Sequence, residues 1–282
     1  MMETAKCLVF DLDGTLYEDT DHFDYYARLL KECVDDQKQE DFQKDYERAQ
    51  EGSHPVQIGK VYDAERDVVL TVNPFSFIVE QVEEWSGNAW TDRRVRTTYL
   101  EPVHLNFHSM IALGDGWWPP FSIALHYGVT RAEAYDCYVK TKDYMSSGQF
   151  EMTKTKGLRE ALLQWREEKR LVLLTNSEAY DVKNILKNLD LEGVFHEVIP
   201  SANKPEKTDQ WFEQILDNWE GEASEIVSIG DNFMNEIAPA LQYGFQAVFI
   251  QSHDIRYDHP HLKVVNTLSE MTEINSKTPG GH

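Results

Sequence analysis

Short runs of consecutive apolar residues recur along two parts of the chain. Between them lie stretches whose apolar positions come three and four residues apart. The runs are Cys7-Leu8-Val9-Phe10, Leu171-Val172-Leu173-Leu174, Glu225-Ile226-Val227-Ser228-Ile229 and Ala247-Val248-Phe249-Ile250. Apolar residues on successive positions, β-branched or aromatic in part, predict strands buried on both faces, as in a parallel sheet. The intervening stretches predict helices. Residues 156–169 carry Leu158, Leu162, Leu163 and Trp165 on one side, and 180–189 carry Val182, Ile185, Leu186 and Leu189. Residues 208–219 present Trp211, Phe212, Ile215 and Leu216, and 235–243 present Ile237, Ala240 and Leu241. Strand and helix alternating in this way predict a doubly wound α/β fold over residues 1–16 and 150–275.

Residues 17–149 lack that alternation and are expected to form a separate, mainly helical inserted domain. Residues 23–50 read as helical and very acidic, with Leu29, Leu30, Val34, Phe42 and Tyr46 for one face. A helix is expected over 75–85, opened by Asn73-Pro74, and another over 130–144, where Thr130 and Glu133 have capping-box spacing. The tail 276–282, with Pro279-Gly280-Gly281, is expected to be disordered.

The net charge changes this picture in one respect. Asp and Glu number 49 against 27 Lys and Arg, a formal charge of −22. Such an excess argues against nucleic-acid polymers and anionic membranes as partners. It also means that an anionic substrate has to be met locally by a metal or by cationic side chains. No run approaches the roughly 20 apolar residues of a membrane span, and no basic, apolar leader opens the chain. Cys7, Cys33 and Cys137 are widely spaced, with no CxxC pair, and read as small hydrophobes in a reducing compartment. A cytoplasmic protein is expected; oligomeric state is not legible.

Chemistry concentrates at the ends of the predicted strands. The run Leu8-Val9-Phe10 ends in Asp11-Leu12-Asp13-Gly14-Thr15. The carboxyl end of a central strand is where open α/β sheets bind ligands. Two acids separated by one residue can divide the work of nucleophile and general acid-base. A second predicted strand ends in Thr175-Asn176-Ser177, where a hydroxyl and backbone amides suit a phosphoryl oxygen. Ser177 also suits a helix N-cap. Lys204, in Asn203-Lys204-Pro205, stands just before a helix. A further strand ends in Gly230-Asp231-Asn232, followed by Asn235 and Glu236. An acid there suits Mg²⁺, which prefers hard oxygen donors and few protein ligands.

In this order the four elements resemble the motifs of the haloacid dehalogenase superfamily. The resemblance covers the α/β half of the chain and implies a Rossmann-like doubly wound parallel sheet with a cap inserted after the first motif. By that resemblance Asp11 is the nucleophile that forms an aspartyl-phosphate. Asp13 protonates the leaving oxygen and then activates water. Asp11, the backbone carbonyl of Asp13, and Asp231 hold Mg²⁺, and Thr175, Asn176 and Lys204 bind the phosphoryl group. One departure is Glu236, which stands where many relatives carry a second Asp; it is assigned a supporting role beside Lys204. The acid at Asp13 argues against a dehalogenase, because a halide leaves without a proton whereas an alkoxide needs one. The implied function is a Mg²⁺-dependent phosphatase acting on a small phosphorylated metabolite, a nucleotide or sugar phosphate. A phosphomutase with the same core chemistry is the alternative, and a non-catalytic binding protein a third reading.

The inserted region holds Trp85, Trp90, Trp117 and Trp118. Trp117-Trp118-Pro119-Pro120-Phe121 reads either as an aromatic wall for a substrate ring or as cap core with a rigid turn. Arg93, Arg94 and Arg96 read either as contacts for a second anionic group or as a solvated helix face paired with nearby acids. His104 and His108 have the i, i+4 spacing of helical metal ligands, without a third ligand nearby. His259-Pro260-His261 falls in an expected terminal loop.

Overall fold

The computed structural model describes residues 1–147, 150, 152–251 and 257–273; the tail expected over 276–282 lies outside them. The chain divides into two compact units, one formed by Met1–Asp19 with Glu151–His282 and the other by Thr20–Phe150.

The first unit is built on six strands: β1 (Cys7–Phe10), β6 (Arg170–Leu174), β7 (Glu197–Ile199), β8 (Ile226–Gly230), β9 (Gln246–Ile250) and β10 (Leu262–Val265). They form one sheet in the order β10-β9-β8-β1-β6-β7, parallel at every pairing. Its helices are α6 (Leu158–Arg166), α7 (Ala179–Asn188), α8 (Thr208–Asp217), α9 (Ala238–Gln242) and α10 (Ser269–Glu273). All four expected strands are present. Every residue of β1 and β8 is buried, and each large apolar side chain so placed contributes roughly 1.5–3 kcal/mol. The edge strands β7 and β10 escaped prediction because they are buried less completely; Val198 and Val264 remain exposed. Edge position removes the need for an unbroken apolar run. The helix expected over 235–243 splits into a five-residue π-helical turn, Phe233–Ile237, and α9.

The second unit contains α1 (Asp21–Cys33), α2 (Gln39–Gln50), α3 (Asp92–Thr98), α4 (Trp118–His126) and α5 (Arg131–Ser146). It also contains an antiparallel sheet of β2 (Val61–Asp63), β3 (Val68–Val72), β4 (Val79–Glu84) and β5 (Met110–Ala112), in the order β4-β3-β2-β5. The unit is mainly helical, as expected, but it also carries this small sheet, which the sequence pattern does not predict. The helix expected over 75–85 is a hairpin turn followed by β4. The pairing of β3 with β4 shifts register between Thr71 and Val72, so Val79 and Val82 are both buried although they are three residues apart. Asn73 caps a turn rather than a helix, its Oδ1 accepting from the N–H groups of Phe75 and Ser76. The helical stretch 23–50 breaks into α1 and α2. The Thr130–Glu133 capping box forms as expected and opens α5.

His104 and His108 lie in the non-helical segment before β5, so their spacing does not put them on one helix face. Arg94 pairs with Glu84 at 3.1 Å and lies 3.5 Å over the Trp90 ring, which is the solvated, acid-paired arrangement. Trp117 packs against His22, Tyr26 and Tyr138 at 5.1–5.2 Å within the unit's own core.

His54 is buried in this unit. Its Nδ1 accepts from the Val56 N–H, and its Nε2 faces Asp45 at 3.7 Å. Burial pulls the imidazole down to about 4, against the opposing pull of Asp45. The folded ring is thus neutral where an unfolded histidine, with a value of about 6.5, is already charged. The unfolded chain binds the extra proton between those values, so this contribution to stability is full above about pH 6.5 and is lost as pH falls towards 4. NMR of the ring should report a neutral His54 down to about pH 5. A titration centred near 6.5 would refute the burial argument.

Candidate active site

β1 sits at the centre of the sheet, with β8 on one side and β6 on the other. Chain order reverses at this point, and the carboxyl ends of the strands there form the ligand crevice of an open α/β sheet. Neighbouring parallel strands are about 4.8 Å apart, so residues far apart in sequence emerge side by side. Asp11 follows β1, Thr175 follows β6 and Asp231 follows β8. The Asp11 N–H still donates to Ile229 O at 2.9 Å, and the Thr175 N–H to Ile199 O at 3.0 Å, so both are held by the sheet itself.

After Asp11 the chain turns over Leu12, whose carbonyl accepts from the N–H groups of Thr15 and Leu16. Gly14 has φ +72°, and a Cβ there would lie 2.1 Å from Asp231 Oδ2. Glycine is required twice, for the left-handed backbone and for the approach of Asp231.

Lys204 arrives on the loop before α8. Its side chain is only 2% exposed, and Nζ donates to Asp11 Oδ1 at 2.8 Å and to Glu236 Oε2 at 3.1 Å. Asn176, expected to meet substrate, uses its amide on the Lys204 backbone instead. Its Nδ2 donates to Lys204 O at 2.8 Å, and its Oδ1 accepts from Lys204 N at 2.7 Å. The Ala202 N–H donates to Thr175 O, fastening the same loop to the end of β6. Asn176 therefore aims the lysine by fixing its peptide.

Glu236 lies on the π-helical turn, and its Oε1 accepts from the Asn232 N–H at 2.9 Å. A Cβ at Gly230 would be 2.3 Å from that same oxygen. The missing side chain at Gly230 makes room for the carboxyl of the longer glutamate.

Carboxylate oxygens of Asp11, Asp231 and Glu236 lie within 4.8 Å of one another. Burial pushes the Asp11 carboxyl above the usual carboxylate range, and the Lys204 ammonium opposes this. Burial does the same to Glu236, again opposed by Lys204. Burial also works against the charge on Lys204, but Asp11 and Glu236 outweigh it and hold the ammonium protonated. The cluster holds three carboxyls and one ammonium, which contacts Asp11 and Glu236, so full ionisation leaves two negative charges to balance. That deficit and the all-oxygen donor set fit a hard divalent cation such as Mg²⁺. No other group of three metal-capable side chains occurs among the described residues.

The Asp13 carboxylate stands outside this triplet. Tyr17 donates its hydroxyl to Oδ1 at 2.5 Å, and Ser177 donates to Oδ2 at 2.6 Å. The two acids of the motif thus have different surroundings: Asp11 meets a cation, Asp13 meets hydroxyls. Neither Tyr17 nor Ser177 was expected in this role. Ser177 was expected to cap α7, but the N-cap there is Glu178. The Thr175 hydroxyl is buried and accepts from the Ser177 N–H at 3.1 Å. Tyr17 is wholly buried, four residues beyond Asp13. Its signal in the sequence was only a polar-tipped aromatic between Leu16 and Glu18, four residues after the second motif acid.

A family model described as haloacid dehalogenase-like hydrolase matches residues 5–244. Among solved structures, one similar chain is described as the HAD-hydrolase YfnB from Bacillus subtilis, bound to magnesium. It shares 16% identity over 96% of this chain and 99% of its own, with a TM-score of 0.53. A protein described as a β-phosphoglucomutase from Thermotoga maritima shares 14% identity over 97% and 99%, with a TM-score of 0.50. The L-2-haloacid dehalogenase RSc1362 shares 15% over 96% and 99%, also at 0.50. At these identities the likeness is one of fold. No curated protein sequence matches. No helix among the described residues is long and apolar enough to cross a membrane.

Proposed function

The chain belongs to the haloacid dehalogenase-like hydrolase family, and within it we propose a Mg²⁺-dependent phosphatase acting on a small cytoplasmic phosphomonoester, a nucleotide or sugar phosphate. The observation that carries this reading is the divided environment of Asp11 and Asp13. Asp11 lies against the Lys204 ammonium, which steadies its charge as an anion approaches. Asp13, two residues on, is held by the hydroxyls of Tyr17 and Ser177 and is the group proposed to exchange a proton with the ester oxygen.

In the proposed reaction an Asp11 carboxylate oxygen attacks phosphorus, and the bond to the ester oxygen breaks. Asp13 gives that oxygen its proton, so the leaving group departs as an alcohol. The Asp13 carboxylate then takes a proton from water as the water oxygen attacks the aspartyl-phosphate. Asp11 and free phosphate are regenerated. Lys204 and the Thr175 hydroxyl hold phosphoryl oxygens. Asp11, Asp231 and the Asp13 backbone carbonyl are the proposed Mg²⁺ ligands, with Glu236 beside them. Bound Mg²⁺ supplies charge neutralisation at the phosphoryl oxygens. The need for a proton donor at Asp13 disfavours a dehalogenase. The inserted unit is the proposed cap, and leaving-group selection is proposed to reside there.

The test is release of inorganic phosphate from a panel of nucleotides, sugar phosphates and an aryl phosphate, with Mg²⁺ and with chelator. Mg²⁺-dependent release is expected, and the preferred ester defines the substrate class. Isomerisation of a sugar phosphate faster than release would instead make it a mutase.

Tyr17→Phe removes one hydroxyl from Asp13 while keeping the ring. A lost hydrogen bond to a charged group amounts to about 1.5–3 kcal/mol, so kcat should fall about tenfold or more. KM should hold, because Tyr17 is not among the proposed phosphate-binding groups. A rise in KM at unchanged kcat would contradict this positioning role.

A further inference from the structure

Two of the three cysteines meet inside the unit Thr20–Phe150. Cys33 ends α1 and is exposed, whereas Cys137 lies on α5 and is buried. They are 104 residues apart in sequence, and their Sγ atoms are 3.6 Å apart. Cys7, the third, is buried in β1 of the other unit.

We propose that Cys33 and Cys137 form a reversible disulfide, an oxidative modification site that joins the first helix of this unit to its last. Two further contacts join the helices. Tyr26 of α1 donates its hydroxyl to Ala134 O at 3.3 Å, and Tyr25 stacks on Tyr144 with ring centres 4.2 Å apart. A disulfide has sulfurs about 2.05 Å apart, so the thiols close by only about 1.5 Å. Loop closure over so many residues has already been accomplished by folding, which gives the pair a high effective concentration.

The chemistry runs in one direction. Burial pushes the Cys137 thiol well above its ordinary value, and the neighbouring Cys33 adds to this. Cys137 is therefore not the group that reacts with an oxidant in solution. Cys33 is the accessible sulfur. With hydrogen peroxide as oxidant, Cys33 Sγ attacks one peroxide oxygen, the O–O bond breaks and water leaves, giving a sulfenic acid. Cys137 Sγ then attacks the Cys33 sulfur. The S–O bond breaks, and the departing hydroxide takes the Cys137 proton as a second water. Two thiols are oxidised to one disulfide and one peroxide is reduced to two waters. A dithiol reductant reverses the change by exchange.

The experiment treats the reduced, full-length protein with stoichiometric peroxide. The expected result is a fall from three titratable thiols to one, an intact mass lower by two hydrogens and a Cys33–Cys137 cross-link in the peptide map. The thermal midpoint should rise, and dithiothreitol should restore the starting state. Cys33→Ser and Cys137→Ser should each fail to form the intramolecular bond and show no peroxide-dependent rise. The proposal is overturned if Cys33 proceeds to sulfinic acid while Cys137 stays free, or if Cys33 cross-links two chains instead.

Discussion

Replacing Asp11 with Asn is expected to abolish Mg²⁺-dependent phosphate release, a loss of at least about 10⁴-fold of the kind seen when a catalytic nucleophile is removed. The amide oxygen is a poor nucleophile and carries no charge for a cation to steady. The substitution keeps the shape of the side chain, so a loss of activity reports chemistry rather than unfolding. Stability supplies the control. Burial disfavours the Asp11 charge, and Lys204 keeps Glu236 as its partner at 3.1 Å. The thermal midpoint of Asp11→Asn should therefore hold or rise. Full activity in a folded Asp11→Asn protein would sink the aspartyl-phosphate mechanism.

Lys204→Met is expected to damage both folding and activity. Methionine fills much of the lysine stem's space but leaves Asp11 and Glu236 without the ammonium they share at 2.8 and 3.1 Å. Breaking a buried ion pair from one side costs about 3–5 kcal/mol, because the remaining charge stays desolvated. Denaturant midpoints measured in chelator should fall accordingly. Adding Glu236→Gln removes one of the stranded carboxylates, so the double variant should regain part of that stability. Activity should not return, since the proposed phosphate-binding cation is still missing. A Lys204→Met protein as stable as the parent would mean that the carboxyls simply take up protons, and that the ion triad is not what holds this loop.

Asn176 and Ser177 mark where sequence reasoning lost resolution. Their place at the end of β6 was legible, because Leu171 to Leu174 is a fully buried parallel strand and such strands end at the crevice. Their partners were not. Asn176 binds a peptide 28 residues away, and Ser177 binds an acid 164 residues away. Local pattern offers a serine there as a cap equally well, and only the packing of strand ends decides. Glu236 is similar. Its departure from the motif was plain in the sequence, but its fit depends on the π-helical turn and on the empty Cβ position at Gly230.

The second unit was the harder one to read, for a physical reason. Parallel strands buried on both faces leave a continuous apolar run, which survives in one dimension. The strands of its antiparallel sheet are three to six residues long, and a bulge turns their period of two into a spacing of three. Such a pattern is the same in sequence as a helix face until a partner strand sets the register.

The sequence by itself determined the α/β core, the strand ends that carry Asp11, Thr175 and Asp231, and, through the order of the motifs, Lys204. It did so because burial on both faces and the turn after each strand are local demands. The tertiary structure alone decided which side chains meet. It gave Asp13 to Tyr17 and Ser177, gave the Lys204 peptide to Asn176, and set Cys33 against Cys137, because those contacts depend on three-dimensional distances that sequence spacing does not encode.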